Sequence, residues 1–335
     1  MIAVSDRPVA QISVIIVNYN AAELAIAAVE SVLARDHGGR SVDVHLIDNA
    51  SPDGDAAAFE AALARPGWPE CVTFYPETEN HGFGRGNNIA LRALAARPEP
   101  PEYIFLLNPD AQLENEAIAV LADFLDAHPD VAVAGASIRK PDTGKVTAAF
   151  RFPGLISTFA EALSLGPVSR LCARWVVPLE PGIPTGQVDW VAGAAMLARL
   201  APLERAGFFD PDYFLYYEEV DLMHRLQRAG WPTWYVAEAG AIHVEGASTD
   251  VKSGETVRRR RPAYWYESWR LYFTKIHGRA YALAAAAAWM AGAALNLGVS
   301  RVRGNTAAAA LKFFPDFWAA GLRPLLGLST GRRDD

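Results

Sequence analysis

The chain has 335 residues, of which 51% are hydrophobic and 21% charged, a composition that excludes a disordered, fibrous or coiled-coil protein. Its length predicts two domains or one large one. The net charge of −7 argues against a nucleic-acid partner. The charge is unevenly distributed, since residues 1–250 carry 17 basic and 33 acidic side chains and residues 251–335 carry 14 and 5. An acidic body with a basic C-terminal region favours an anionic surface as a partner.

The N-terminal residues and the two cysteines bear on the cellular compartment. Residues 1–11 include Asp6, Arg7 and Pro8 and no apolar run, so no secretory signal peptide is expected there. Cys71 and Cys172 are too few for a disulfide framework or a cysteine metal cluster. We therefore expect a reducing, cytoplasmic compartment.

Short apolar runs rich in β-branched or aromatic residues recur about every thirty residues in the first third of the chain. The segments between them have helical composition. This alternation predicts βαβ units and a mostly parallel sheet. The expected strands begin near Ile12, Val42, Val72 and Tyr103, and the expected helices span Ala21–Arg35, Ala56–Ala64 and Asn87–Ala96.

Polar residues follow three of these predicted strands, at Asn18–Asn20, Asp48–Asn49 and Asn108–Asp110. In parallel sheets, ligands bind outside the carboxyl ends of the strands. Each cluster alone is also explained by the turn-forming tendency of Asn, Asp and Pro. Their presence at three strand ends favours a ligand site along this edge of the sheet.

Taken together, these motifs resemble a known enzyme family. VIIVNYN, LIDNASPDG, NHGFGRGNN and LLNPD stand in the order and spacing of the family 2 glycosyltransferases of the GT-A fold. WVAGAAM, followed by GFFDPDYFLYYEEVDLMHRLQRAGW, is similar to the rhamnosyltransferase-like subgroup. The resemblance covers roughly residues 12–245.

The resemblance implies a fold and assigns a binding role to each half of the matched region. Residues 1–250 would form a GT-A-type, Rossmann-like α/β domain with a mostly parallel central sheet. Within it, residues 12–135 would bind the nucleotide sugar and residues 136–250 the acceptor. Beyond the resemblance, the charge and composition of residues 251–335 predict a basic, helical C-terminal region that could associate with a membrane.

The ends of the first two strands would bind the nucleotide of the donor, as the resemblance implies. Asp48 would accept a hydrogen bond from a pyrimidine N3–H. Val17, Asn18 and Tyr19 would flank the same base, and Tyr19 would stack on it.

The segment Asn80–Asn88 opens a helix and contains three glycines. Glycines allow a backbone to approach a ligand closely, and a helix N-terminus attracts anions. The glycine spacing differs from the dinucleotide-binding fingerprint and follows the third strand, so a dehydrogenase is not expected. Asn87 and Asn88 would contact the donor, with helix capping as their alternative role.

Asn108–Asp110 occupies the place of the family's D-x-D metal motif. Mg²⁺ or Mn²⁺ takes oxygen ligands there and stabilises the leaving diphosphate. The first acid is replaced by Asn108, a departure that the subgroup shares, so Asn108 would bind the donor and Asp110 the metal. His243 would add a metal or phosphate contact, as a histidine does in some family members, although a lone histidine at a strand end is otherwise structural.

Acidic residues begin the helix that is predicted to run to about Ala229. Acids in a first helical turn complement the helix dipole, which suffices to explain one or two of them. An inverting transfer also needs a base that removes the proton of the acceptor hydroxyl. The resemblance places this base at Glu219, and Glu218 and Asp221 would orient the acceptor or the helix.

Two further residues, Trp190 and Gly193, precede this acidic segment and would bind the acceptor. Trp190 would stack on a sugar ring, with core packing as its alternative role. Gly193 would let the sugar approach the backbone closely.

The C-terminal region combines an arginine run at residues 258–261 with an aromatic stretch from Tyr264 to Phe273. This combination suits the headgroup region of an anionic leaflet. The alternatives are nucleic-acid binding and a solvated charge run beside a core helix. Residues 280–300 carry no charge and could span a bilayer, but ten are alanine and Asn296 interrupts them, which favours a surface or core helix.

The sequence therefore predicts an inverting glycosyltransferase that depends on Mg²⁺ or Mn²⁺. It would move a sugar, rhamnose in the subgroup, from a nucleotide-diphospho-sugar such as dTDP-rhamnose to a polysaccharide or lipid-linked glycan. We expect it to be cytoplasmic, peripheral on the inner face of the cell membrane, with no nucleic-acid partner. The alternative is a non-catalytic sugar-nucleotide-binding or scaffold protein of the same fold.

Overall fold

The computed structural model describes residues 11–141, 144, 148–243 and 259–328, so residues 1–10 and Arg258 of the predictions lie outside it. The strands are β1 (Ile12–Asn18), β2 (Val42–Asp48), β3 (Val72–Pro76), β4 (Tyr103–Leu107), β5 (Ala111–Leu113), β6 (Val133–Arg139), β7 (Ala149–Phe150), β8 (Gly186–Val188), β9 (Trp190–Val191), β10 (Ala195–Arg199) and β11 (Thr233–His243). The α-helices are α1 (Ala22–Leu33), α2 (Asp55–Leu63), α3 (Trp68–Cys71), α4 (Gly82–Ala95), α5 (Ala117–Ala127), α6 (Leu155–Leu163), α7 (Gly166–Leu171), α8 (Leu200–Arg205), α9 (Glu218–Arg228), α10 (Ala263–His277), α11 (Arg279–Arg303), α12 (Phe313–Phe317) and α13 (Arg323–Leu325). A π-helical turn over Trp318–Leu322 joins the last two helices.

Within the described residues, nine strands form one sheet in the order β3-β2-β1-β4-β10-β6-β11-β5, with β8 pairing with β11. The first four of these are parallel neighbours, and helices connect them as parallel pairing requires. Strand β10 then runs antiparallel to both β4 and β6. The four predicted strands begin where expected, and the α/β fold class is confirmed.

Two hydrophobic cores support the chain. The larger packs both faces of the sheet, which explains why β1 and β4 are buried along their whole length. The smaller is built from α10 to α13 and also takes in Tyr213, Val220 and Ala162 from earlier in the chain. The predicted helical C-terminal region is therefore present, and the predicted domain division at residue 250 stays a prediction.

The aromatic stretch expected at a lipid headgroup region lies instead inside the smaller core. Its large rings recur at three- and four-residue intervals, so they share one face of α10. The buried members are Tyr266, Trp269, Tyr272 and Phe273.

Helix α4 begins five residues earlier than the sequence predicts, at Gly82, so its three glycines lie inside the helix. Close packing explains their presence. A Cβ at position 86 would lie 2.9 Å from Val17 Cγ1, and one at position 84 would lie 3.0 Å from Phe209 Cβ. These glycines bring the helix close to β1 and to the segment that precedes α9.

Helix α11 is the one helix of the described chain that is long and apolar enough to cross a membrane. One of its faces packs on α6: a Cβ at position 292 would lie 2.8 Å from Phe159 O and 3.0 Å from Ala162 Cβ. The amide of Asn296 donates to Leu163 O at 2.9 Å and accepts from Ala308 N at 2.8 Å. The polar residue that interrupts the apolar stretch is therefore satisfied by protein groups.

Several basic side chains of the C-terminal region bind protein groups. Arg260 pairs with both carboxylate oxygens of Asp316, at 2.6 and 2.7 Å. Arg270 and Arg279 donate to backbone carbonyls, and Lys275 pairs with two aspartates. Part of the excess positive charge therefore holds the C-terminal helices together.

The packing of α11 on α6 can be tested with two glycines of the same helix. We expect Gly292→Ala to lower the free energy of unfolding by about 1–3 kcal/mol, because its Cβ meets a backbone carbonyl that cannot move freely. The matched control is Gly298→Ala, which has open space around it and should raise the free energy of unfolding by up to ~1 kcal/mol. Urea denaturation measures both, and equal effects of the two substitutions would contradict the observed packing.

Candidate functional site

The carboxyl ends of β1 and β2 carry a buried polar network. Asn18 Nδ2 donates to Asp48 Oδ1 at 3.3 Å and to Asp55 Oδ2 at 2.7 Å. Ser51 Oγ donates to the same Asp48 oxygen at 2.5 Å. In the described part of the chain no donor reaches the second oxygen, Oδ2, of Asp48. The network fixes this carboxylate and leaves one oxygen for a ligand.

Asp55 and Ser51 belong to this network but were not predicted from the sequence. Asp55 lies in the first turn of α2, where it also accepts a hydrogen bond from Ala21 N at 2.9 Å. Ser51 lies in the loop after Asp48 and Asp55 begins the helix that follows it, so the polar run SPDGD was the available signal.

Val17 and Tyr19 lie at the end of β1 beside Asn18, and the base contacts expected of all three stay predictions. The side chain of Val17 is buried against α4, so only its backbone could face a base. Tyr19 is half-buried beyond the end of the strand. The following Asn20 has a positive φ of 55°, and its N–H donates to Ser51 Oγ at 2.9 Å, which ties the loop after β1 to the loop after β2.

Asn49 joins the end of β2 to the start of α4. Its Oδ1 accepts from His81 N at 2.9 Å, and its Nδ2 donates to Asn80 Oδ1 and Gly82 O at 3.1 Å each. The sequence marked Asn49 only as a strand-end residue. Its role is to fix the N-terminus of α4 beside Asp48.

The two asparagines of α4 make protein contacts. Asn87 Nδ2 donates to Phe83 O, one turn back, at 3.0 Å. Asn88 bonds the backbone of Phe209 twice, as donor to the carbonyl at 2.8 Å and as acceptor from the N–H at 3.1 Å. The expected donor contacts stay predictions, and the amide of Asn88 serves the packing of α4.

Asn108, Asp110 and His243 meet where β4 ends and β11 ends. His243 Nε2 lies 2.9 Å from Asp110 Oδ1 and 3.3 Å from Asn108 Nδ2. A ring nitrogen that carries a proton can donate to the carboxylate, and one without a proton can accept from the amide. Nε2 therefore cannot make both hydrogen bonds at once. Three polar groups therefore converge on one point.

This convergence fits a divalent cation. Carboxylate oxygen suits Mg²⁺, and Mn²⁺ also accepts imidazole nitrogen. Among the described residues, no group of three or more His, Cys, Asp or Glu side chains is arranged to hold a metal ion by itself. A cation here would have Asp110 and His243 as its protein ligands and take the rest from water and phosphate, as Mg²⁺ commonly does.

Helix α9 presents the two adjacent glutamates in unusual surroundings. Tyr216 and Tyr217, which precede it, both have left-handed backbones with φ of 70° and 69°. Such strain in non-glycine residues clusters at functional sites. In both Glu218 and Glu219, Oε2 is buried and has no hydrogen-bond partner among the described residues.

Burial changes the acidity of this pair. It raises the pKa of Glu219, and it raises the pKa of Glu218 well above its usual range, with the neighbouring charge of Glu219 adding to the effect. Carboxyl groups with raised pKa values and unused oxygens are candidates for proton transfer.

Gly193 lies beside Glu219 and beside the start of α4. A Cβ on it would be 3.9 Å from Glu219 Cβ and 3.2 Å from the Phe83 ring. Next to it, Ala194 O accepts from Asn108 N at 2.9 Å. The predicted acceptor residue Gly193 therefore connects the Asn108 corner to Glu219.

Trp190 and Asp221 have structural contacts. The Trp190 ring stacks on Phe150 at 4.0 Å, and its Nε1 donates to Arg151 O at 2.9 Å. Asp221 is buried and accepts from Arg225 Nε at 2.6 Å. The Asp221 carboxylate orients the guanidinium of Arg225. The acceptor roles predicted for Trp190 and Asp221 stay predictions.

The family model for glycosyl transferase family 2 matches residues 13–169. An N-acetylglucosaminyl-diphospho-decaprenol L-rhamnosyltransferase of Mycobacterium tuberculosis is 33% identical over 220 residues, covering 63% of this chain and 69% of that protein. A rhamnosyltransferase of Escherichia coli K12 is 30% identical over 165 residues, covering 49% of this chain and 61% of that protein.

The fold also has solved counterparts. The mannosyltransferase PcManGT of Pyrobaculum calidifontis, in complex with GDP-Man and Mn²⁺, matches with a TM-score of 0.53 and 19% identity. The match covers 96% of this chain and 83% of that one. The predicted GT-A fold and the predicted glycosyltransferase are confirmed, and the chain belongs to glycosyl transferase family 2.

Proposed function

We propose that the protein is an inverting rhamnosyltransferase that uses a nucleotide-diphospho-rhamnose, such as dTDP-rhamnose, and a lipid-linked glycan acceptor. The names of the mycobacterial and Escherichia coli relatives support rhamnose, and that of the mycobacterial relative supports an acceptor joined to a lipid through a diphosphate. The observation that carries the proposal is the buried, unpartnered carboxyl oxygen of Glu219 beside Gly193.

Glu219 is the general base in this proposal. The acceptor oxygen forms a bond to the anomeric carbon while the bond from that carbon to the diphosphate oxygen breaks. The proton of the acceptor hydroxyl passes to the Glu219 carboxylate, and the electron pair of the broken bond leaves with the nucleoside diphosphate. A pKa raised by burial makes the carboxylate a stronger base near neutral pH.

The donor nucleotide would lie against the ends of β1 and β2. Asp48 Oδ1 is already occupied by Ser51 and Asn18, so its Oδ2 would accept the N3–H of a pyrimidine. Tyr19 would stack on the base, and the backbone of Val17 would line it.

Asp110 and His243 would hold Mg²⁺ or Mn²⁺. When bound, the cation neutralises charge that develops on the departing diphosphate. Asn108 positions this corner through its backbone bond to Ala194, which keeps it next to the sugar-binding side of the sheet.

We also propose that α11 lies on the inner face of the cell membrane. Its exposed face is an uncharged stripe of small and apolar residues, made of Ala284, Ala287, Ala291, Ala294, Leu295, Gly298 and Val302. Exposed Arg301 and Arg303 flank the end of this stripe, which suits an anionic leaflet. Because the opposite face packs on α6, the helix cannot be surrounded by lipid.

Removing the base should abolish transfer. We expect Glu219→Gln to lower kcat by roughly 10²–10⁴-fold, because the amide cannot take a proton. The rise in Tm that dTDP-rhamnose produces should remain, since the donor edge is intact. Transfer is measured with Mg²⁺ or Mn²⁺ present, and Glu60→Gln on the exposed face of α2 is the control. Near-normal turnover by Glu219→Gln would refute the assignment, and a wild-type protein without turnover would favour the non-catalytic alternative.

The raised pKa of Glu218 predicts a stabilising substitution. At pH values above the folded-state pKa of Glu218, its carboxylate is charged in a buried position that disfavours charge. This lowers the free energy of unfolding. This destabilisation disappears below the unfolded-state pKa of about 4.3. We expect Glu218→Gln to raise the free energy of unfolding at pH 7.5 by roughly 1–3 kcal/mol and to have little effect at pH 4. Urea denaturation at the two pH values measures this, and a gain of the same size at both would contradict the stated cause.

The membrane proposal predicts flotation with anionic liposomes. Leu295 and Val302 are 54% and 90% exposed on α11, and replacing both by Asp should abolish flotation with phosphatidylglycerol vesicles. The control adds the same charge at the exposed Ala57 and Ala61 of α2 and should float like the wild type. A wild-type protein that stays in the soluble fraction would refute the proposal.

A further inference from the structure

Arg261 occupies a fixed position between the C-terminal helices and the acidic helix. It lies two residues before α10, and its Cζ sits 3.9 Å from the centre of the Trp265 ring. That ring contacts Tyr217 edge to face at 5.8 Å and Trp289 at 5.5 Å. A guanidinium stacked on a ring held in this way has little conformational freedom left to lose on binding a ligand.

The charge of Arg261 is not neutralised by an ion pair with any carboxylate that the structure describes. Its neighbours differ in this respect, since Arg260 is paired with Asp316 and Lys275 with Asp210 and Asp212. Arg270 donates to a backbone carbonyl. Arg261 is half-buried, and it interacts electrostatically with Glu161 without forming an ion pair, so its guanidinium can still bind an anion at a sheltered position.

The charges of Arg261 and of Glu219, the proposed base, both act on the side chain of Tyr217. The pKa of the Tyr217 hydroxyl is raised by burial and by the charges of Glu161 and Glu219, and the charge of Arg261 opposes this rise. Tyr217 stands two residues before Glu219 and touches the ring beneath Arg261. Glu219 therefore lies next to Gly193, and Tyr217 and the Trp265 ring connect its helix to Arg261 on the side of the C-terminal helices.

We propose that Arg261 binds the phosphate attached to the acceptor sugar, which makes this side of Glu219 the acceptor diphosphate site. The inference rests on the proposed function. A sugar whose hydroxyl meets Glu219 would place its anomeric phosphate one ring away, toward Arg261. A guanidinium binds phosphate through paired hydrogen bonds, and the first-turn N–H groups of α10, which begins at Ala263, favour an anion at the same end.

The ligand required is a phosphate ester on a lipid. Both the lipid-linked acceptor and a phospholipid headgroup of the membrane provide one. The two sources are separated by comparing soluble acceptors with vesicles. The charge of Glu161, on α6, also acts on Tyr217. This carboxylate would not bind phosphate and would instead face the hydroxyl groups of the sugar.

The test measures binding of two water-soluble acceptors by calorimetry, with and without the diphosphate. One is N-acetylglucosamine joined through a diphosphate to a short prenyl chain, and the other is a neutral alkyl N-acetylglucosaminide. For Arg261→Gln we expect the Kd of the diphosphate acceptor to rise roughly 10–100-fold, as expected for loss of a charge-assisted pair, and the Kd of the neutral one to change less than about twofold. Arg261→Lys should recover part of the loss, because it restores the charge without the fork geometry.

The control variant is Arg205→Gln, which removes an exposed arginine at the end of α8 and should bind both acceptors like the wild type. Equal losses for both acceptors would overturn the proposal, as would a wild-type protein that binds the two equally. Loss of vesicle flotation with unchanged acceptor binding would assign Arg261 to the headgroup and also overturn it. Donor-induced stabilisation of the wild type and of Arg261→Gln reports on the proposed function separately, because it involves no acceptor.

Discussion

The contact between helix α4 and the segment before α9 is the constraint on which the site depends. At Gly82 a Cβ would lie 1.8 Å from Phe214 O, so no other residue fits without moving the backbone. The Phe83 N–H donates to the same carbonyl at 3.1 Å. Because the start of α4 is also tied to the end of β2, the polar edge at the ends of β1 and β2 and the segment before Glu219 are held by one rigid element. Catalytic groups must be held this closely for transfer to be efficient.

Sequence reasoning succeeded where the information is local. The strand starts follow from β-branched runs separated by helical segments, and the strand-end polar residues follow from the topology of a parallel sheet. It failed where a contact joins distant parts of the chain. The double hydrogen bond between Asn88 and Phe209 spans 121 residues, and nothing near Asn88 distinguishes it from a helix cap. The place of Asp55 in the donor network was missed because the same residue is also an ordinary first-turn acid.

The C-terminal region shows why composition alone was a weak guide to the membrane. Aromatic rings at helical spacing suit either a lipid interface or a protein core, and only the presence of a second packed element decides between them. Here Trp289 and Phe317 supply that element, so the rings of α10 are buried. The apolar stripe on α11, by contrast, includes Leu295 and Val302, which stay exposed in the described chain.

The smaller core joins α9 to the C-terminal helices. Tyr213 and Val220, which lie just before and within α9, are buried among the C-terminal helices. Loss of those helices would expose apolar surface directly beside the acidic pair. The acidic helix and the C-terminal helices should therefore open and close as one cooperative unit, with matched rates of amide hydrogen exchange. The last part of the chain is therefore an integral part of the packing around the acidic pair rather than an appendage.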